Sequence, residues 1–145
     1  MKEDLLENIS DTQVYTTRTI VISTFFGGLI AGSYMIYQNF KAFGDQRKAG
    51  TTIVITVLVM LLLIASTFVP VLEQIPGIIY GIVITMVVSL LTQKYQADLI
   101  LKHIKADGKI HTGGRAVLIC VVALLIMAAF IFGAYFLQDA AIIET

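Results

Sequence analysis

The chain has 145 residues, 57% hydrophobic and 14% charged, with a mean hydropathy of +0.87. A soluble domain carries about 25% charged residues and has no interior large enough to hide so apolar a chain. Ten cations balance ten acids, which gives nucleic acid no net positive charge to find, and a single cysteine, Cys120, excludes an intrachain disulfide.

The charges are clustered, and between the clusters lie four uncharged windows at 19–40, 49–72, 74–93 and 116–138. Each meets the roughly 20 residues that a helix needs to cross a hydrocarbon core of about 30 Å. A transmembrane barrel is excluded because runs such as 53–64 do not alternate between apolar and polar residues. Within lipid an isolated run satisfies its backbone only as a helix. The expected fold is therefore an all-α membrane protein, one polytopic domain over 1–145. Its four transmembrane helices are expected at about 19–40, 51–70, 76–93 and 116–138.

Residues 1–18 are polar and begin with acids at Glu3, Asp4 and Glu7, where a signal peptide would carry lysines, so the first apolar run reads as a retained span. That span places Thr24, Gly28 and Gly32 at fourfold spacing, a stripe of small residues suited to close helix packing. Tyr34, Tyr37, Phe40 and Phe43 gather at its end, where aromatic rings suit the headgroup boundary. The basic connection 41–48 follows, with a Gly44-Asp45 turn. The second span has large side chains all round and closes at Pro70. A tight turn at 71–75 carries Glu73, and Pro76 opens the third helix, where its missing N–H costs nothing.

The third helix carries a longer stripe, Gly77, Gly81, Thr85 and Ser89, and reads as the packing spine of the bundle. Beyond it Ala97, Ile100, Leu101 and Ile104 follow helical spacing, and Asp98 and Lys102 are placed for an i, i+4 pair. A continuous helix from 76 to 107 is expected, extended into the cytoplasm over 94–107 and capped at Gly108. A flexible loop with Gly113-Gly114 leads to the fourth span, which carries the small pair Ala129 and Gly133.

Charge sets the expected orientation. The connections 41–50 and 94–115 hold eight cations, against Lys2 and Arg18 elsewhere. By the positive-inside rule these basic loops are cytoplasmic, and both termini and the 71–75 turn are extracytoplasmic.

No span contains an ionisable residue, the usual mark of transport or proton relay in a membrane. His103 and His111 lie in the cytoplasmic connection with no Cys or Glu to complete a metal site. No serine in a span has an intramembrane base to activate it. No metal, cofactor, catalytic residue or nucleic-acid partner is expected. The hydroxyls Thr85, Ser89 and Thr92, with Glu73 as an outer acidic ring, could line a pore in an oligomer, although packing accounts for the same stripe.

The run FFGGLIAGSYMIYQNFKAFGDQRKAG at 25–50 resembles small bacterial four-span membrane proteins of unknown role. In these a Gly-Gly-Pro-Leu-Ala-Gly-like helix precedes an Asn-Phe-Lys-Ala-Leu-Gly-like basic loop. Leu29 stands where that pattern has proline, and the resemblance covers about a sixth of the chain. It implies a bacterial inner membrane and no activity. The expected role is non-enzymatic: a structural or accessory subunit of a homo-oligomer or larger membrane assembly, in contact with the lipid bilayer. The alternatives are a hydroxyl-lined channel and, third, a small-solute transporter.

Overall fold

The computed structural model describes residues 12–66 and 69–143, with their side chains apart from those at 70, 73, 134 and 137–143. The helices are α1 (Thr17–Ala42), α2 (Gln46–Ser66), α3 (Pro70–Glu73), α4 (Gly77–Tyr95), α5 (Ala97–Lys105) and α6 (Gly113–Ile143). There is no strand among the described residues, only one parallel bridge between Val14 and Ile110. By length and apolar composition α1, α2, α4 and residues 113–133 of α6 are able to cross a membrane, which marks the chain as a multi-pass helical membrane protein.

One of these four does not run straight. At Gly28 the backbone leaves the helix for φ 69° and ψ −166°, a region open to glycine and closed to residues with a Cβ. There the chain reverses. The Tyr15 amide donates to Asn39 Oδ1 at 2.7 Å, although 24 residues of straight helix would hold the two about 36 Å apart. Thr24 and Gly32 face each other across the bend, so closely that a Cβ on Gly32 would run into the Thr24 hydroxyl. A Cβ on Gly27 would lie 2.6 Å from that of Ala31 and 3.0 Å from the Cα of Cys120 on α6. Thus α1 is a helical hairpin with arms 17–27 and 29–42, about 16 and 21 Å long. Each arm is shorter than the hydrocarbon core of a bilayer.

The hairpin is the centre of the fold. Among the long helices, α2, α4 and α6 each pack on α1 and hardly at all on one another. Over half of the α1 span is buried, against about a tenth or less of the other three. The core consists of Ile20, Leu29, Met35, Ile36 and Phe40 of α1, met by Ala49, Val88, Ile100 and Ala116. Helix α6 turns its small side chains, Ala116, Cys120 and Ala123, toward the first arm, and Cys120 Sγ lies 3.7 Å from the Ser23 carbonyl oxygen. Helix α4 brings Val88, Thr92 and its C-cap Gln96 inward at fourfold spacing.

The expected third-helix spine is corrected on two counts. A Cβ on Gly77 or Gly81 meets nothing within 4 Å, so this stripe does not hold the protomer together. The close-packing glycines are Gly27 and Gly32, and Gly28 is needed for its backbone angle. Nor is the helix continuous to 107: it ends at Gln96, whose φ of −124° is not helical, and α5 begins anew. The break places the Gln96 side chain inside the fold. Helix α5 buries Ile100 and His103, while Leu101 and Ile104 face outward, and Asp98 and Lys102 form no ion pair among the described residues.

Two smaller expectations also change. Asp107, not Gly108, takes the left-handed position after α5 at φ 55°. Its N–H reaches the Ile104 carbonyl at 3.1 Å and that of Gly108 the His103 carbonyl at 2.9 Å, a Schellman ending. Gly108 is needed for another reason, because a Cβ there would strike the His103 ring. Gly113 and Gly114 open α6 instead of forming a loop. At the start of α2 the expected turn is present: the Asp45 carboxylate accepts the Lys48 N–H at 3.0 Å and pairs with its ammonium at 2.7 Å, which holds the carboxyl below the usual carboxylate range.

The glycines sort into those the reversal needs and those it does not. Gly28→Ala should lower stability by about 1–3 kcal/mol, the cost of forcing a Cβ into that backbone region. Gly50→Ala has room and a helical backbone, and should leave stability equal or raise it by about 0.5–1 kcal/mol. Melting of the two variants in mild detergent checks this; equal losses would contradict the hairpin.

Candidate functional site

The polar chemistry of the described chain collects at one end, where both arms of α1 open. Segment 12–16 enters this end as extended chain, with the Val14 amide donating to the Lys109 carbonyl at 3.2 Å and the His111 amide to the Val14 carbonyl at 3.0 Å. The expectation that the N-terminal segment lies opposite the basic connections is therefore corrected. Residues 12–16 sit beside 39–42 and 109–111, because the hairpin returns the chain to the side from which it came. Residues 1–11 and 144–145 lie outside the described residues.

Asn39 closes this end. It is fully buried, and its amide spends both donors and an acceptor: Oδ1 accepts from Tyr15 N–H, while Nδ2 donates to the Tyr15 carbonyl at 2.8 Å and to Gln96 Oε1 at 3.3 Å. Gln96, also buried, donates from Nε2 to the Ile36 carbonyl at 2.9 Å. Two amides thus join the entering segment, the second arm of α1 and the end of α4. A buried network of this kind rigidifies when every member is satisfied.

Beside it the satisfaction is incomplete. The Tyr15 hydroxyl, the Thr92 hydroxyl and His111 Nδ1 are buried without a hydrogen-bond partner. The Tyr15 ring stacks on His111 with centroids 4.1 Å apart and planes tilted by 32°. Burial pushes the Tyr15 phenol above its ordinary range, and the neighbouring Arg115 guanidinium opposes that shift. Burial also lowers the His111 pKa, and Arg115 adds to the effect, both favouring the neutral ring. Over this pair opens a polar groove of about 530 Å³, lined by Thr12, Gln13, Gln38, Lys41, Ala42, His111 and Arg115. Its cations come from different elements, Lys41 from the last turn of α1 and Arg115 from the first turn of α6.

The residues singled out from the sequence are dispersed. Gly28 and Gly32 belong to the hairpin. Gly77, Gly81, Ala129 and Gly133 lie on outer faces, and a Cβ at any of these glycines meets open space. The Thr85 hydroxyl bonds back to the Gly81 carbonyl at 2.7 Å, and Ser89 accepts from Gln93 at 3.0 Å. Thr92 is buried inside the protomer, which closes it to any pore; the Glu73 side chain lies outside the described residues. No group of His, Cys, Asp and Glu among the described residues is placed to hold a metal ion.

Asn39, Gln96 and Tyr15 were legible only in part. An amide at the end of an apolar span has three or four hydrogen-bonding valences to fill, and Asn39 is the clearest such signal. No family model, curated protein or solved structure matches this chain.

Replacing Asn39 tests the clamp. Asn39→Leu leaves the Tyr15 N–H, the Tyr15 carbonyl and Gln96 Oε1 buried without partners, and at about 1–3 kcal/mol for each should cost 3 kcal/mol or more. Gln93→Leu, at an exposed pair, should stay within about 0.5 kcal/mol of the parent. Chemical denaturation in detergent separates the two.

Proposed function

We propose that the protein is a non-enzymatic subunit of a bacterial inner-membrane assembly, and that it crosses the membrane three times, with α1 as a re-entrant hairpin dipping in from the cytoplasmic face. Irregular backbone at membrane depth is tolerated where protein covers it, and Gly27 is buried against Cys120. Charge supports this topology. With the N-terminal segment on the basic side, nine of the ten cations, from Arg18 to Arg115, fall at one end of the described chain, and the turn at 70–75 has none. Arg18, an exception to the positive-inside rule under four crossings, ceases to be one.

The observation that carries the subunit reading is the isolation of the outer helices. Because α2, α4 and α6 pack on α1 and scarcely on each other, their other faces are left uncovered by the described residues. Exposed leucine, isoleucine and phenylalanine there are at home in lipid. Small residues are different, since lipid gains nothing from Gly77 and Gly81 or from Ala129 and Gly133, whereas a second helix gains close approach. These stripes fit contacts with further copies of this chain. The channel reading is supported less, because the buried Thr92 removes one of its three lining hydroxyls.

Topology and assembly are tested separately in a Cys120→Ser background. Single cysteines at Gln13, Gln46 and Lys109 should all resist an impermeant thiol reagent in intact cells, and one at Gln74 should react. A reactive position 13 would restore four crossings. Cysteines at Gly81 or Gly133 should crosslink between copies in the membrane while one at the lipid-facing Leu118 does not; no crosslinking at either glycine would overturn the homo-oligomer.

A further inference from the structure

The groove at the basic end has the composition of an anion site. Of its lining residues two are cations, Lys41 and Arg115, four more carry hydrogen-bonding side chains, and none is an acid. Two independent features point to a missing negative charge. Arg115 sits in the first turn of α6, a 31-residue helix with no acid in that turn, so a cation occupies the end where the helix dipole is already positive and N–H groups lack partners. Behind the groove residue His111, on which its ring stacks, the Tyr15 hydroxyl is buried with no acceptor among the described residues, in a side chain that is 1% exposed. Buried donors are nearly always paired, and here the donor lies beside the Arg115 guanidinium at the start of α6.

We propose that this groove binds a phosphate-bearing anion, either a phospholipid headgroup from the bilayer or free phosphate. Arg115 offers a planar fork matched to two phosphate oxygens, and Lys41 a point charge from across the groove. An oxygen held between them gives the Tyr15 hydroxyl an acceptor and offsets the charge at the start of α6. Gln13 and Gln38 border the same space with amide groups, and the Gln38 amide already donates to the Tyr34 hydroxyl at 2.7 Å. The groove lies at the ends of α1 and α6, where headgroups lie if these helices are embedded, and basic pockets between membrane helices are suited to anionic headgroups. The proposal does not depend on oligomerisation.

The test is the melting midpoint of the full chain in neutral detergent, titrated with phosphatidylglycerol, with phosphatidylcholine and with inorganic phosphate. Phosphatidylglycerol should stabilise and phosphatidylcholine should not. Lys41→Gln and Arg115→Gln should each weaken the apparent affinity about fivefold, the value of one cation near an anionic headgroup. Lys102→Gln and Lys105→Gln, on α5 and outside the groove, should leave it unchanged. A response to inorganic phosphate lost in the same two variants identifies a free anion as sufficient; a response to phosphatidylglycerol alone identifies the lipid. Should Arg115→Gln fail to fold, Arg115→Lys, which keeps charge but loses the fork, is expected to weaken binding less than threefold while Lys41→Gln retains its full effect. No preference for either anion over phosphatidylcholine, or equal losses in the α5 variants, would overturn the assignment.

Discussion

Asn39 holds a reversed chain shut, and the rest of the structure depends on that closure. An apolar helix in lipid has no reason of its own to fold back, because lipid tails solvate leucine as well as protein does. A reversal at Gly28 takes backbone groups out of helical pairing, and these must be covered and the two arms held together. The tip is covered by Cys120 and Met127 of α6. At the open end one amide side chain ties the backbone before the first arm to the last turn of the second, in a place with no water to compete for it. Thr24 adds a smaller constraint: its hydroxyl, bonded back to the Ile20 carbonyl at 2.7 Å, lies against Gly32 and leaves no room there for a Cβ.

From this hub the other elements follow. Three long helices lean on the hairpin, each by the face that suits it: small side chains on α6, Val88 and Thr92 on α4, and Ala49 with half-buried Val59, Met60 and Leu63 on α2. The break at Gln96 belongs to the same arrangement. Gln96 follows Val88 and Thr92 on the inward face of α4 and so meets Asn39, and the non-helical backbone at Gln96 lets α5 set out afresh with Ile100 and His103 inward. The outward Leu101 and Ile104, interspersed with Lys102 and Lys105, give α5 the character of an interfacial helix.

Much of the helical class was legible in the sequence, because uncharged windows of 20 or more residues have few other physical solutions. The reversal was hidden by the same logic. Residues 19–40 have the length and apolarity of a straight span, and a Gly27-Gly28 pair looks the same whether it lets another helix approach or lets its own chain turn. What separates the readings is long-range: Asn39 must find three partners, and only a folded-back chain brings Tyr15 to it. The small-residue stripe of α4 was correctly seen as smooth, but smoothness does not say which neighbour uses it; the protomer's contacts lie on the adjacent face at Val88, Thr92 and Gln96. The groove was not legible at all, since Thr12, Lys41 and Arg115 are far apart in sequence and meet only after the reversal. The odd placement of Arg18 among the charges was the one sequence-level hint of that reversal.

The central claim is the fold-back itself, and the distance between its two ends measures it most directly. Spin labels at Gln13 and Lys41, both on the rim of the groove, should give a separation on the order of 10 Å in bilayers, that of two packed helical arms. A separation of about 42 Å, the length of a straight helix over the same residues, would contradict the hairpin.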